Sequence, residues 1–278
     1  MKRFVLKSIL FVLILLALSH ARPLYLMSND RYKHTIAGKQ VYYSIQKSRQ
    51  RNTLSPKVLL GDSVAYQLFR NTKNNYPIYS LACNQAIGMV GHYILLDNYL
   101  KAGNNVNTVY LFLSPFTFSN NLNDIFTYHY FVKPFYTNEY FPLLTETVVR
   151  QVHKIPFYYL SRYPLVLTSS WAPDFASNDK KDYTFLSPVS AEYLGKMREL
   201  SIKYHFRLVV VPTPTSLSNR WKIDNMDKDE ITANNLEGVF KDYFKNILYL
   251  DDSNFHSDGV HLNNPQKYEE YYRDIFLK

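Results

Sequence analysis

Apolar positions along the chain gather into short continuous runs separated by longer stretches of helical spacing. VLLG at 58–61, IYSLAC at 78–83, TVYLFLS at 108–114 and RLVVVP at 207–212 are four such runs, and NILYLDD at 246–252 is a fifth. Runs of this kind suit strands buried on both faces. Between them lie helix-length segments, Gln85 to Ala102 and Ser190 to Tyr204, the second with Tyr193, Leu194, Met197, Leu200 and Ile202 roughly on the helical period. Asn263-Asn264-Pro265 reads as the cap and first turn of a last helix, with Tyr268, Tyr271, Tyr272, Ile275 and Phe276 on one apolar stripe. The alternation predicts an α/β fold: a doubly wound, five-stranded parallel sheet between two layers of helices. Ligands of such sheets bind outside the carboxyl ends of the strands, where Ser63, Asn84, Ser114 and Pro212 fall.

Two regions break the pattern. Residues 116–186, with FTYHYFVKPFYTNEYF and IPFYYLSRYPL, are dense in aromatics and prolines. They are expected to form a helical or irregular insertion after the third strand, its aromatics either packing a small satellite core or stacking on sugar rings. At the other break, Lys2, Arg3 and Lys7 precede an uninterrupted apolar run from Ile9 to Leu18, followed by Ser19-His20-Ala21. That run is short against the roughly 20 residues a membrane span needs. Residues 1–21 are therefore expected to be a signal peptide cut after Ala21, with a retained membrane anchor as the alternative. Residues 22–56 read as a basic linker, and 57–278 as the folded domain. The domain is expected outside the cytoplasm, whether periplasmic, cell-surface or secreted, with membrane contact through the N-terminus.

Composition narrows this picture. A chain of 278 residues with 46% hydrophobic and 20% charged residues suits one sizeable folded domain. The net charge of +9 is spread thinly apart from RYKHTIAGKQ and KSRQR between residues 31 and 51. Anionic headgroups or an acidic glycan suit it, whereas nothing resembles a nucleic-acid-binding motif. Cys83 is the single cysteine, which rules out an intramolecular disulfide, and its apolar surroundings predict a buried, inert thiol.

The chemistry sits at two short stretches. In LLGDSVAYQL the apolar run breaks at Gly61-Asp62-Ser63 before helix-like sequence resumes, so Ser63 is either a nucleophile or a helix cap. Asp62 beside it reads as the cap. In SDGVHLNN, Asp258 precedes His261 by three residues with Gly259 between them. A turn lets that carboxylate reach the imidazole Nδ1 and leave Nε2 free as a base, the orienting role of the acid in a serine triad. Alone, the pair also fits a surface loop. Of only 8 glycines, Gly61, Gly88, Gly91 and Gly259 fall in these candidate segments. His256, Asp258 and His261 crowd into six residues, a poor fit to zinc spacings, so no metal is expected. His92, His129 and His153 read as structural or exposed.

Taken together, GDS at 61–63, NQAIGMVG at 84–91 and DGVH at 258–261 resemble, in order and spacing, the blocks of the SGNH (GDSL-type) hydrolase superfamily, which includes esterases, lipases and carbohydrate O-acetyl esterases and acetyltransferases. The resemblance covers most of residues 57–278. It implies a flavodoxin-like three-layer αβα sandwich, Ser63 as nucleophile, Asp258 and His261 as its partners, and an oxyanion hole from the N–H groups of Ser63 and Gly88. It implies no cofactor and no metal, and an acylated small-molecule or glycan substrate. FLSPFTFSNN at 112–121 departs from the family's third block, which carries an Asn donor. Ser114, Thr117, Asn120 and Asn121 are the candidate substitutes, Ser114 first because it sits at the strand end. The departure keeps open a second expectation, a catalytically inactive domain that binds glycan or an envelope partner.

Overall fold

The computed structural model describes residues 2–19, 32–53, 55–69, 78–124, 126–155, 158–159 and 185–277. In chain order its main elements are α1 (Lys2–Ser19), α2 (Ile36–Ser48), β1 (Lys57–Gly61), α3 (Ser63–Phe69), β2 (Tyr79–Ser80), α4 (Gly88–Lys101), β3 (Thr108–Leu113), α5 (Pro115–Phe118), α6 (Glu146–His153), α7 (Pro188–Tyr204), β4 (Arg207–Pro212), β5 (Thr215–Ser216), β6 (Tyr249–Leu250) and α8 (Gln266–Leu277). The central sheet is parallel throughout, in the order β2-β1-β3-β4.

Successive side chains of a strand face opposite ways, and two separate cores follow from that. Val58, Leu60, Val109, Leu111, Leu113 and Val210 face one side, packed with α4, α7 and α2. Leu59, Tyr110, Phe112 and Val211 face the other, packed with Val64, Ala65, Leu68 and Phe69 of α3 and Tyr268 and Tyr272 of α8. Tyr271, expected on the buried stripe of α8, is 51% exposed. Burial on both faces explains why these strands read as unbroken apolar runs rather than alternating ones.

The expected fifth strand is not in the central sheet. Tyr249–Leu250 instead pairs in parallel with Thr215–Ser216 in a separate two-stranded sheet. Two prolines mark where β4 gives out. Thr213 donates its N–H inward to Leu113 O of β3 at 3.3 Å, so the outward positions on either side of it are Pro212 and Pro214. Neither proline has an N–H to donate. Beyond them a separate ladder begins, with Thr215 N–H on Leu248 O at 2.9 Å.

Part of the expected linker is integral to the domain. Within 22–56, α2 buries Val41, Ser44, Ile45 and Ser48, a helical spacing masked in sequence by its polar members. The helix covers the free edge of the sheet: Lys47 Nζ donates to Ser80 O at 2.7 Å and Ser44 Oγ to Ala82 O at 3.3 Å. Tyr79 OH returns a bond to Lys47 O at 3.1 Å. Outward-facing carbonyls of an edge strand thus find partners, which removes a template for edge-to-edge association.

The insertion after β3 joins the main core. Phe131, Phe135, Tyr140, Val148 and Val152 pack in the same cluster as β1 and α4, so there is no satellite core among the described residues. Residues 160–184 of the expected insertion lie outside the described residues. At the N-terminus, α1 leaves Phe4, Ile9, Phe11, Leu13 and Leu18 exposed; among the described residues no helix is long and apolar enough to cross a membrane.

Candidate active site

β1 ends at Gly61 because the chain there must pass close to two neighbours. A Cβ on Gly61 would lie 2.3 Å from Ala65 Cβ and 2.8 Å from Phe112 O. Asp62 follows, fully buried, and its carboxylate accepts four hydrogen bonds. Oδ1 takes the N–H groups of Val64 (3.0 Å) and Ala65 (3.3 Å), capping α3. Oδ2 takes the N–H of Ser114 (2.7 Å) and the hydroxyl of Thr117 (2.8 Å), which ties the end of β3 to the end of β1. Burial raises the Asp62 pKa, against the pull of those four donors. Asp62 is therefore the cap the sequence suggested, and it faces no base.

Ser63 opens α3 and is partly exposed at the carboxyl end of β1. Among the described residues neither its Oγ nor its backbone N–H has a hydrogen-bond partner. The contact from Oγ to an imidazole that a triad uses in turnover is thus not made in this structure.

The Asp258 to His261 turn is made as its spacing predicts. Asp258 Oδ2 lies 2.7 Å from His261 Nδ1, and Oδ1 accepts the N–H groups of Val260 and His261, both at 2.9 Å. Gly259 takes φ +66°, a left-handed conformation glycine adopts without a Cβ penalty. Burial pushes the Asp258 carboxyl up, but the bonds from His261 and Val260 outweigh it and hold the pKa at about 2. A carboxylate ionised across the working pH range is thereby fixed on Nδ1, which leaves Nε2 as the free ring nitrogen.

This turn belongs to a loop closed on itself. His256 N–H bonds His261 O (2.8 Å), Asn263 N–H bonds Asn254 O (2.9 Å), and Phe255 bridges Leu262 antiparallel. A residue the sequence did not single out then ties the loop to α3: Gln67 accepts from Leu262 N at 3.0 Å and donates to Leu262 O at 3.5 Å. Gln67 and Ser63 are i+4 and i on one helix. Pairs at that spacing lie on one face, about 6 Å apart at Cβ.

Gly88, the expected second oxyanion donor, gives its N–H to Gln85 O as it closes the turn Gln85–Ile87. That proton is committed to the turn here. Its φ of +60° and the side chain of Leu122, 2.9 Å from where a Cβ would stand, explain the glycine. Leu122 also has positive φ, +59°, held by Asn120 Oδ1 accepting its N–H at 2.8 Å. Asn120 Nδ2 meanwhile donates to Gln85 O at 3.0 Å. Asn120 thus braces the loop after β3 onto the Gln85 turn, with both ends of its amide engaged.

Of the other candidate helpers, Thr117 spends its hydroxyl proton on Asp62. Asn121 is buried with Oδ1 unpartnered among the described residues. Ser114 Oγ accepts from Phe116 N at 3.4 Å and keeps its own proton for another acceptor. Its backbone N–H is held by Asp62, the sequence neighbour of Ser63. Sequence reasoning had no signal for Gln67 or for the bracing role of Asn120, since each pairs with a residue distant along the chain.

The remaining candidates are inert. Cys83 is buried and its thiol pushed up to about 12 by burial. His92 is fully buried, its pKa lowered to about 3 by burial. His129 is buried, with Tyr32 OH on its carbonyl, and His153 bonds Tyr136 OH and stacks on Tyr158. Among the described residues no group of three His, Cys, Asp or Glu is arranged to hold a metal.

No protein-family model matches this sequence, and no curated protein matches it. Two solved structures are similar in outline. One is a candidate acylhydrolase from Bacteroides fragilis NCTC 9343, at 10% identity, covering 84% of this chain and 94% of that one with a TM-score of 0.38. The other is a Streptococcus pneumonia protein described as a candidate platelet activating factor, at 10% identity, covering 86% and 92% with a TM-score of 0.39. Likeness at that level establishes neither fold nor activity, and the reading of the site rests on its own geometry.

Proposed function

We propose that the chain is a serine esterase or O-acyltransferase of the SGNH type, acting on acyl esters, with acetyl as the acyl group and an envelope or extracellular polysaccharide as the favoured substrate class. The observation that carries this is the 2.7 Å bond from Asp258 Oδ2 to His261 Nδ1, in a loop bonded to the helix that Ser63 opens. In the proposed cycle His261 Nε2 takes the proton of Ser63 Oγ as that oxygen attacks the acyl carbonyl. The oxyanion that forms is met by the free N–H of Ser63 and by the hydroxyl of Ser114. His261 then protonates the leaving alcohol, and activates water or an acceptor alcohol to release the acyl group from Ser63. Gly88 takes part only if its N–H leaves Gln85 O. The N-terminal apolar segment is proposed to export or anchor the domain.

A covalent probe tests the assignment. A fluorophosphonate should label the folded wild-type protein, and Ser63→Ala and His261→Ala should each abolish labelling. A folded but unlabelled wild type would replace this reading with that of an inactive SGNH-like binding domain, which the idle Ser63 Oγ and the committed Gly88 N–H favour.

A further inference from the structure

We propose that Gln67 is a positioning residue that sets the place of His261 relative to Ser63. The inference rests on the reading of those two residues as base and nucleophile. Its starting point is a division of labour between two acceptors. Asp258 fixes the rotation of the imidazole, but it sits three residues from His261 in the same loop and moves wherever the loop moves. It therefore orients the ring without locating it.

Locating the ring requires a bond between the loop and the helix that carries the nucleophile. Gln67 supplies one on both sides of its amide: Oε1 accepts from Leu262 N at 3.0 Å and Nε2 donates to Leu262 O at 3.5 Å. The residue held is the neighbour of His261, and the residue holding it is one helical turn from Ser63. A carboxamide engaged at both ends behaves like a short strand pairing and restricts sliding as well as separation. Leu262 is fully buried in the core formed by α3 and α8, which fixes the depth of the loop. Apolar packing is not directional, so register along the helix falls to the Gln67 bonds. The loop needs such a bond, because Asp258 and His261 are both substantially exposed.

Gln67→Leu removes both bonds at similar volume, and Gln67→Glu keeps only the acceptor for Leu262 N–H. With a small acyl ester, Gln67→Leu should lower kcat about ten- to a hundredfold, the scale of a misplacement of about 1 Å. KM should stay within about twofold, and the rate of fluorophosphonate labelling should fall with kcat. Gln67→Glu should fall between Gln67→Leu and wild type. Hydrogen exchange should show the Leu262 amide losing protection while the amides of β1 and β3 keep theirs. Wild-type kcat in Gln67→Leu, with Leu262 unprotected, would overturn the proposal, as would a loss of activity that follows loss of protection in β1 and β3. A wild type that neither turns over the ester nor takes the probe would instead remove the enzymatic reading beneath it.

Discussion

Asp62 and Asp258 lie at the two ends of the candidate site, one 1% exposed and the other with 48% of its side chain exposed. Asp62 is determined by the whole fold: its four donors come from α3, from Ser114 just after β3 and from Thr117 of α5. Asp258 is determined by its own turn, and every donor it meets lies within three residues of it. The first can exist only once the sheet has formed, and it holds two strand ends in register. The second forms wherever the turn forms, and it needs another device to bring it to Ser63. A buried carboxylate saturated by backbone and hydroxyl donors is architecture, whereas the exposed one bonded to a ring nitrogen serves the chemistry in the proposed function.

That contrast predicts opposite consequences for the same kind of substitution. Asp258→Asn should lower kcat for a small acyl ester by about a thousandfold or more, because the amide no longer fixes the tautomer and orientation of the imidazole. Its stability in urea should change by less than about 1 kcal/mol, as suits an exposed pair. A large loss of stability with intact turnover would reverse the assignment of the two aspartates. Asp62→Asn should do the converse. An amide keeps one oxygen for Val64 and Ala65 but turns an NH2 group on the Ser114 N–H, leaving that buried donor unpaired, while the Thr117 hydroxyl must rotate to accept. The expected cost is about 2–4 kcal/mol, read from urea unfolding. A stabilised Asp62→Asn would mean that desolvation of the charge outweighs its four bonds.

How much of this was legible before the structure follows the same division. The Asp258 to His261 contact spans one turn and could be read from spacing alone. Gly61-Asp62-Ser63 stood out because a run buried on both faces stops abruptly there. What could not be read depends on pairs far apart in the chain: Gln67 with Leu262, Asn120 with Gln85, and Asp62 with Thr117. The fifth strand was misplaced because NILYLDD has the right residues for a strand, and nothing in its composition shows that Leu248 meets Thr215 rather than β4. α2 was taken for linker because two of its buried positions are the serines Ser44 and Ser48. They are there to bond backbone, Ser44 reaching the edge strand and Ser48 its own helix at Ile45 O.

A smaller effect concerns the loop after β3. If the hydroxyl of Ser114 meets the oxyanion, Ser114→Ala should lower kcat about a hundredfold with KM little changed, the scale of one lost oxyanion donor. Thr117→Val should leave kcat near wild type and register only as lost stability, since its proton already belongs to Asp62. Equal kcat losses in both variants would point to a disturbed loop rather than to a donor, and would weaken the line drawn between architecture and chemistry.

The finest test is the dependence of stability on pH, where the two aspartates should pull in opposite directions. Asp258 has a folded pKa of about 2, below an unfolded value of about 3.9. Its contribution is complete above the unfolded value and is lost as pH falls through the folded one. The difference in unfolding free energy between wild type and Asp258→Asn should therefore shrink from pH 5 towards pH 2, by less than about 1 kcal/mol given its exposure. Asp62 has a raised folded pKa, because burial penalises its charge. Folding then favours the protonated form, so the stability of wild type relative to Asp62→Asn should increase as pH falls through that raised value towards the unfolded one. Urea unfolding of the three proteins between pH 2 and pH 7 measures both slopes. Slopes of the same sign would mean that the bonds from Ser114, Thr117, Val64 and Ala65 outweigh burial and lower the Asp62 pKa as well.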